Sequence, residues 1–205
     1  MVIEQKGMLL IISGPSGAGK GTLAQRLLKE DPSFKFSVSV TTRAPRSNEI
    51  PGIHYDFITD EQFEGLIAED AFLEHATVHG HHYGTLRKPV FESMDRGENV
   101  LLDIDSQGAK KLMQLLDNRN DNYVSAFILP PSYKALRIRL HTRNTDDPAE
   151  IDRRLNNAKE EIEKLGQYQY VIVNDDLELA YSHLMHIVNA EKLRTIRFIP
   201  SIGEE

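Results

Sequence analysis

One stretch of the chain has the residue types and the spacing of a phosphate-binding loop. It runs from Gly14 through Gly17 and Gly19 to Lys20, directly after the apolar run Met8–Ile12 and before a helical pattern. Glycines let backbone N–H groups converge on phosphate oxygens, while the helix N-terminus and the lysine add positive charge. The loop therefore predicts a bound nucleoside triphosphate. A glycine-rich turn without a ligand is the alternative, and the strand–loop–helix context disfavours it.

The residue after the lysine departs from the strict form of this motif. Gly21 stands where a serine or threonine is usual, and the hydroxyl comes one residue later, at Thr22. Gly21 has no side chain that could bind a metal ion directly. Because Mg²⁺ gives up its waters reluctantly, we expect water and phosphate oxygens to hold the metal instead.

A pair of arginines in a proline-containing loop could clamp a second phosphate. Arg43 and Arg46 are three residues apart and follow a candidate strand, Phe36–Val40. Guanidinium groups match phosphate oxygens in a bidentate way. A solvated basic loop fits the spacing equally well, so both interpretations stay open at this point.

Two carboxylates end the apolar run that begins at Val100. Asp103 and Asp105 flank Ile104, so strand alternation predicts that both point the same way, at the ligand-binding edge of an open α/β sheet. Two like charges in one place need a cation or hydrogen-bond donors, which Mg²⁺–nucleotide or a base edge could supply. Capping of the following helix is the alternative for Asp105.

Glu74 and Thr85 lie in a polar segment and suit a guanine base. A carboxylate accepts hydrogen bonds from N1–H and the 2-amino group, and a hydroxyl donates to O6. Adenine has no N1 proton, so a buried carboxylate would lose its partner at a cost of about 1–3 kcal/mol. An ordinary surface glutamate is the alternative that spacing alone favours. Three nearby histidines lack the spacing of a metal site and predict a polar surface loop: His79, His81 and His82.

The elements that must position these residues alternate between strand and helix. Apolar runs predict strands at Met8–Ser13, Phe36–Val40, Val100–Asp105, Tyr123–Leu129 and Tyr170–Val173. Helical spacing predicts helices at Lys20–Glu30, after Asp105, at about 132–140 and from Leu177 onward. This alternation predicts an α/β fold with a parallel sheet and right-handed crossovers.

Two segments interrupt the alternation. Residues from 41 to about 85 are polar, with one helix at about 60–68, and predict an insertion over the mouth of the sheet. Residues 141–166 hold a basic turn and an amphipathic helix, which we interpret as a mobile lid. That helix should begin at Asp147-Pro148 and end at Gly166. The tail after Phe198 is expected to be poorly ordered.

Bulk composition narrows the class of protein. The 205 residues carry a net charge of −7, which disfavours non-specific nucleic-acid binding, and include no cysteine for disulfides or thiolate metal sites. No apolar run approaches the ~18 residues of a membrane span, and the N-terminus lacks a signal-peptide pattern. We expect a cytoplasmic protein that binds small molecules and neither nucleic acid nor membranes. The sequence predicts no particular oligomeric state.

These motifs together resemble the guanylate kinase family of P-loop nucleoside monophosphate kinases. The phosphate loop joined to Thr-Thr-Arg-Ala-Pro-Arg at 41–46 is highly specific, and the resemblance extends from about Leu9 to about Ile187. It implies ATP-dependent phosphorylation of GMP, and of dGMP, to the diphosphate, with Mg²⁺. It also implies a P-loop NTPase fold of three layers (α/β/α) with a central parallel sheet, an inserted mostly β segment and a helical lid.

The resemblance divides a single domain of about 7–188 into segments. The core comprises 1–40, 89–140 and 167–205, the GMP-binding insertion comprises 41–88, and the lid comprises 141–166. Phosphoryl transfer would depend on Lys20, Arg43, Arg143 and Arg154. ATP would contact Gly14, Pro15, Ser16, Gly17, Ala18, Gly19, Lys20, Gly21, Thr22, Arg139 and Asn174. GMP would contact Ser39, Arg43, Arg46, Glu49, Tyr55, Glu74, Tyr83, Thr85 and Asp105, while Asp103 would lie near Mg²⁺ and act through water.

Two other functions remain open on the sequence. A kinase for AMP or a sugar phosphate would use the same scaffold, although Glu74, Thr85 and Asp105 suit guanine better. A binding module is the second alternative, because the family has catalytically inactive relatives that serve as scaffold domains. Such relatives usually lack an intact phosphate loop, which this chain retains.

Overall fold

A computed structural model describes residues 2–46, 49–78, 80–119, 122–142 and 148–201. The strands are β1 (Val2–Gln5), β2 (Leu9–Ser13), β3 (Phe34–Phe36), β4 (Ser39–Thr41), β5 (Tyr55–Phe57), β6 (Phe72–Val78), β7 (His81–Leu86), β8 (Asn99–Asp103), β9 (Tyr123–Leu129), β10 (Tyr170–Val173) and β11 (Phe198–Ser201). The helices are α1 (Lys20–Glu30), α2 (Asp60–Ala68), α3 (Arg87–Asp95), α4 (Ser106–Arg119), α5 (Tyr133–Thr142), α6 (Pro148–Glu163) and α7 (Leu177–Lys192).

The central sheet is parallel and lies between two layers of helices. Its five strands follow the order β10–β9–β2–β8–β3. Leu10 and Ile12 of β2 pack with α1 and α7, whereas Leu9 and Ile11 pack with α3 and α4. Because both faces of β2 are covered, its sequence is continuously apolar. The predicted three-layer α/β/α fold is confirmed.

A second sheet is inserted between β3 and α3. Its four strands follow the order β5–β4–β7–β6, and β6 and β7 form an antiparallel hairpin that places Glu74 opposite Thr85. Helix α2 packs on this sheet through Phe63, whose ring stacks on Phe72 with 4.6 Å between centroids. The helix begins with a capping box of Thr59 and Gln62, and it spans the predicted residues.

The predicted strand Phe36–Val40 is wrong, because the chain changes sheet within it. β3 ends at Phe36 and pairs with β8 in the central sheet, whereas β4 begins at Ser39 and pairs with β5 and β7. The backbone N–H of Ser37 still donates to the carbonyl of Leu101, at 3.0 Å, before the chain crosses. An apolar run predicts a strand, but it does not say which sheet that strand joins.

The predicted amphipathic helix is α6, which packs on α5 through its apolar face. Ile151, Leu155 and Ala158 of α6 form one cluster with Leu136 and Leu140 of α5. The helix ends at Glu163, and a 3-10 helix (Leu165–Gln167) follows it. The predicted stop at Gly166 is therefore wrong by three residues, since this glycine lies within the second helix. The predicted N-terminal residue Asp147 lies outside the described residues.

Two further predictions fail at the edges of the fold. The chain after Phe198 was expected to be poorly ordered, but residues up to Ser201 belong to β11, which pairs with β1 in an antiparallel ribbon. His81 and His82 open strand β7 and are not in a loop; the His82 ring stacks on Phe63 at 5.1 Å. His79 and residues 202–205 lie outside the described ranges. No helix in the described ranges is both long and apolar enough to cross a membrane.

Candidate functional site

The phosphate loop joins β2 to α1 at the carboxyl edge of the central sheet. Gly14, Gly17 and Gly19 have φ values of 136°, 89° and 95°, which favour glycine over every other residue. Helix α1 begins at Lys20, and no side chain caps its N-terminal amides. These amides and the helix dipole are therefore free to act on an anionic ligand.

Packed neighbours leave no room for side chains at two of these glycines. A Cβ on Gly14 would lie 2.2 Å from the carbonyl oxygen of Ile128, and one on Gly19 would lie 2.2 Å from Nδ2 of Asn174. Asn174 is buried, and its Nδ2 donates to the Ala18 carbonyl at 2.8 Å. Asn174, which the resemblance predicts to contact ATP, thus also holds the loop backbone in place.

Lys20 folds back over the loop that precedes it. Its Nζ donates to the carbonyls of Gly14 and Pro15, the latter at 3.2 Å. Burial raises the pKa of Asp103, and the positive charge of Lys20 opposes that rise. A Cβ on Gly21 would lie 4.0 Å from Oδ2 of Asp103. The missing side chain of Gly21 therefore leaves space between the loop and this carboxylate.

A cavity of about 410 Å³ lies beside the loop. The predicted residues Gly17, Gly19, Thr22, Arg139 and Asn174 all line it, together with Ile138, Thr142, Asp175 and Leu177. Nη2 of Arg139 donates to the Asn174 carbonyl at 2.9 Å, which fixes the guanidinium plane at the cavity wall. Apolar walls with a few fixed polar groups suit a flat base attached to phosphates on the loop.

A second cavity, of about 320 Å³, lies between the inserted sheet and the end of β8. Most of the predicted GMP-contacting residues line it: Ser39, Arg46, Tyr55, Glu74, Tyr83 and Asp105, together with Asp103. These residues come from both sheets, so the cavity exists only because the inserted segment folds against the core. Its lining includes three carboxylates, one guanidinium and two phenol groups.

Glu74 is buried at this second cavity and is therefore not an ordinary surface glutamate. Its side chain is 8% exposed, and the Thr85 hydroxyl donates to Oε1 at 2.8 Å. Thr85 is itself fully buried, with the Ser39 hydroxyl 3.3 Å away. Burial raises the pKa of Glu74 to about 6, and the nearby charge of Asp105 adds to the rise. The carboxylate is thus still mostly ionised at neutral pH, with an unfilled capacity to accept hydrogen bonds.

Asp105 caps helix α4 and also lines the second cavity. Its Oδ1 accepts from the backbone N–H groups of Gln107 and Gly108, at 2.8 and 3.0 Å, so it caps α4. It also lines the second cavity together with Asp103. The predicted reason for this convergence is wrong, because β8 ends at Asp103 and strand alternation does not reach Asp105.

The predicted arginine clamp is organised by a glutamate. Both oxygens of Glu49 accept from the Arg43 guanidinium at 2.9 Å, and Oε2 also accepts from the backbone N–H of Arg46 at 2.8 Å. Nε of Arg43 donates to the Tyr83 hydroxyl at 3.1 Å, and the Tyr55 ring lies edge-on to that of Tyr83. The hydrogen bond to Arg43 holds the pKa of Glu49 below its usual range. These contacts connect five of the residues that the resemblance assigns to GMP: Arg43, Arg46, Glu49, Tyr55 and Tyr83.

Helix α6 reaches the phosphate loop through Arg154, one of the two arginines that the sequence predicts for the segment 141–166. Nη1 of Arg154 donates to the Ser16 hydroxyl at 3.1 Å, and its Nε donates to Glu150 at 3.0 Å. Arg143 lies outside the described residues. Glu161, which the sequence did not single out, is half-buried on the same helix; burial raises its pKa and the charge of Lys20 opposes this. Glu161 follows Arg154 by seven residues, which places the two side chains on the same face of the helix. This spacing could have identified Glu161 from the sequence.

The chain matches the sequence model of a family described as guanylate kinase, over residues 6–191. The guanylate kinase of Carboxydothermus hydrogenoformans is 48% identical over 192 residues, which cover 94% of this chain and 92% of that protein. The guanylate kinase of Agrobacterium fabrum is 46% identical over 211 residues, which cover 100% of this chain and 94% of that protein.

Two solved structures have the same fold. A crystal structure of guanylate kinase from Anaplasma phagocytophilum has a TM-score of 0.77 at 36% identity, covering 97% of this chain and 93% of that chain. The SH3-kinase fragment of tight junction protein 3 has a TM-score of 0.51 at 14% identity, covering 97% and 62%, and shares the fold alone. Because the family match and the close relatives span nearly the whole chain, this protein belongs to the guanylate kinase family.

Proposed function

We propose that this protein transfers the γ-phosphoryl group of ATP to GMP, and also to dGMP, releasing ADP and the nucleoside diphosphate. The observation that carries the proposal is the buried carboxylate of Glu74 in a cavity that Asp103 and Arg46 also line. Lys20 of the phosphate loop is near enough to influence the charge of Asp103. A guanine-reading group and a polyphosphate-binding loop therefore act on neighbouring volumes.

Guanine would bind in the second cavity, with Glu74 accepting from N1–H and the 2-amino group. The Thr85 and Ser39 hydroxyls and the free oxygen of Asp105 would serve the remaining polar atoms of the base. The phosphate of GMP would bind to the clamp of Arg43, Arg46, Tyr55 and Tyr83, oriented by Glu49. Adenine offers no proton at N1, so binding it would leave a buried carboxylate unpaired.

ATP would place its phosphates on the loop from Gly14 to Thr22 and its base in the cavity beside Arg139 and Asn174. In the described structure Lys20 bonds to loop carbonyls. Phosphate oxygens are stronger acceptors because they are charged, so the ammonium group would turn to them when ATP binds. The lid would contribute Arg154, which already contacts Ser16, and Arg143.

Phosphoryl transfer here requires positioning and charge stabilisation rather than covalent catalysis. The GMP phosphate is largely dianionic at neutral pH, with a second pKa of about 6, so no general base is needed. Lys20, Arg43, Arg143 and Arg154 would neutralise charge on the oxygens of the group in transfer. Closure of the lid (141–166) and of the inserted segment (41–88) would exclude water and prevent hydrolysis of ATP.

Asp103 fits a magnesium site that is completed by water and by substrate. It is the carboxylate closest to the space left by Gly21, and burial there favours a compensating cation. The described residues contain no group of three or more histidines, aspartates and glutamates that could hold a metal ion. Mg²⁺, when bound with ATP, would supply neutralising charge to phosphate oxygens.

A substrate-competition assay tests the proposed function. A coupled assay should offer GMP, dGMP, AMP and ribose phosphate with MgATP and measure kcat/KM for each. We expect GMP to be preferred over AMP by at least a hundredfold, with dGMP also used. A preference for AMP would contradict the base assignment, and failure to bind ATP in a calorimetric titration would favour a binding module. A cytoplasmic location stays a prediction.

A further inference from the structure

We infer that Gly108 is a positioning residue for guanine specificity, because its missing side chain leaves the space in which the Glu74 carboxylate lies. The inference rests on the proposed role of Glu74 in reading guanine. Gly108 is the third residue of α4 and belongs to the core side of the site, whereas Glu74 belongs to β6 of the inserted sheet.

The contact between these two residues is close. A Cβ on Gly108 would lie 2.8 Å from Oε2 of Glu74 and 3.4 Å from its Cδ. The first of these distances is shorter than any ordinary van der Waals contact. The first turn of α4 therefore forms a wall against one carboxylate oxygen, while the Thr85 hydroxyl holds the other at 2.8 Å.

Gly108 also contacts the second carboxylate of the cavity. Its backbone N–H donates to Oδ1 of Asp105 at 3.0 Å, and a Cβ would lie 3.8 Å from Oδ2 of Asp105. A methyl group would keep the first interaction and make only an ordinary contact in the second. Substitution by alanine should therefore move Glu74 and leave Asp105 in place.

The fold should tolerate this alanine. Gly108 lies in a helix and is not among the residues with positive φ, so alanine suits its backbone and favours the helix. The group in the way is the end of a flexible glutamate side chain, not backbone. To reach an ordinary contact near 3.4 Å, Oε2 would move by about half an ångström. The strain is therefore relieved by displacing the carboxylate that reads the base.

Gly108→Ala is the test, with Gly65→Ala as the matched control. Gly65 lies in α2, is exposed, and has no atom within 4 Å of its Cβ position. We expect Gly108→Ala to raise KM for GMP at least tenfold, with kcat and KM for ATP changing less than twofold. The ratio of kcat/KM for GMP over IMP, which lacks the 2-amino group, should fall at least fivefold. Gly65→Ala should change none of these values.

A rescue experiment separates positioning from a structural defect. Glu74→Asp shortens the side chain by one methylene and should remove the collision with a methyl group at residue 108. In the Glu74→Asp background, Gly108→Ala should therefore change KM for GMP less than twofold. An equal tenfold rise in both backgrounds would show that the effect does not pass through Glu74, and would overturn the inference.

The outcomes distinguish this inference from the proposed function. If the wild-type protein does not prefer GMP over AMP and IMP, the base assignment fails and the inference fails with it. If the wild type prefers GMP and Gly108→Ala keeps its KM and its GMP-to-IMP ratio, only the inference is overturned. A joint rise in KM for ATP and GMP with a lower Tm would also overturn it, since that result indicates general damage.

Discussion

The phosphate loop and the second cavity, where we propose that guanine binds, obtain their geometry in different ways. The loop is nine consecutive residues, 14–22, whose shape comes from backbone dihedrals and from three glycines at positive φ. The cavity takes its polar groups from separate elements, with Ser39 on β4, Glu74 on β6, Tyr83 on β7 and Asp105 before α4. One half of the site is therefore a local property of the chain, and the other is a property of the assembled fold.

This difference changes what each half can tolerate. The loop binds phosphate through backbone amides, so most changes of side chain should leave its shape intact. The change that should distort it most is a Cβ added at one of its glycines. The cavity depends on buried side chains with raised pKa values and on the hydrogen bonds between them, so removal of one hydroxyl leaves a partner unsatisfied. Changes in the loop should affect ATP, and changes in the cavity should affect GMP.

Lys20→Ala should have the largest effect. The lysine is the full positive charge within the loop, and loss of such a charge at a transferring phosphoryl group costs about a thousandfold or more in turnover. Its hydrogen bonds in the described structure are to the carbonyls of Gly14 and Pro15, so the fold should remain. Steady-state kinetics with circular dichroism tests this, and near-normal turnover would remove Lys20 from the mechanism.

Gly19→Ala should damage ATP binding and leave GMP binding unchanged. Its Cβ would collide with Asn174, which holds the Ala18 carbonyl, so we expect the Kd for ATP to rise at least tenfold. Left-handed backbone should also cost about 1–2 kcal/mol of stability. Gly80→Ala is the control, since Gly80 has φ of 79° but open space around it. Calorimetry on both variants would refute the account if they weakened ATP equally.

Thr85→Val should damage GMP use and leave ATP binding unchanged. Valine keeps the shape of the side chain but removes the hydroxyl that bonds to Glu74. We expect kcat/KM for GMP to fall about 10- to 100-fold, in line with an unsatisfied buried acceptor. Thr85→Ser, which keeps the hydroxyl, should lose much less. Equal losses in the two variants would mean that packing, and not the hydrogen bond, matters at this position.

Glu74→Gln should make the protein more stable while it loses guanine recognition. Burial raises the pKa of Glu74 from 4.5 to about 6, with Asp105 adding to the rise and Thr85 and Lys111 opposing it. A raised pKa favours the protonated acid in the folded state, so stability is lost as pH rises from 4.5 through about 6, by about 2 kcal/mol.

Urea unfolding at several pH values measures this effect. The glutamine variant should exceed the wild type by up to about 2 kcal/mol at pH 7.5, with the difference shrinking towards pH 4.5. Glutamine retains an acceptor for the Thr85 hydroxyl, so that hydrogen bond is kept. A variant that is less stable than the wild type at pH 7.5 would indicate that the carboxylate is not strained by burial.

The same contrast explains what the sequence could predict. The loop, the buried strand Tyr123–Leu129 and the helices Lys20–Glu30 and Asp60–Ala68 depend on neighbouring residues and were predicted with their observed bounds. The switch of the chain between sheets at Ser37 and the ribbon of β1 with β11 depend on distant partners. Periodicity does not record those partners, so both were missed.

The second cavity shows most clearly what could not be predicted from the sequence. Spacing alone favoured a surface position for Glu74, and only the pairing of β6 with β7 and the approach of α4 bury it. The resemblance supplied its role because related chains share the assembled fold. Gly108 lies within the part of the chain that resembles guanylate kinases, but nothing else in the sequence singles it out. The reason is that Glu74, whose carboxylate occupies the space beside Gly108, lies 34 residues away along the chain.

The most direct test of the division between the two halves is calorimetry on Glu74→Gln with two ligands. The titrations should use GMP and a non-hydrolysable ATP analogue with Mg²⁺, on the wild type and the variant. We expect GMP binding to weaken at least thirtyfold, while binding of the ATP analogue changes less than twofold. Unchanged GMP affinity, or an equal loss for both ligands, would contradict this expectation.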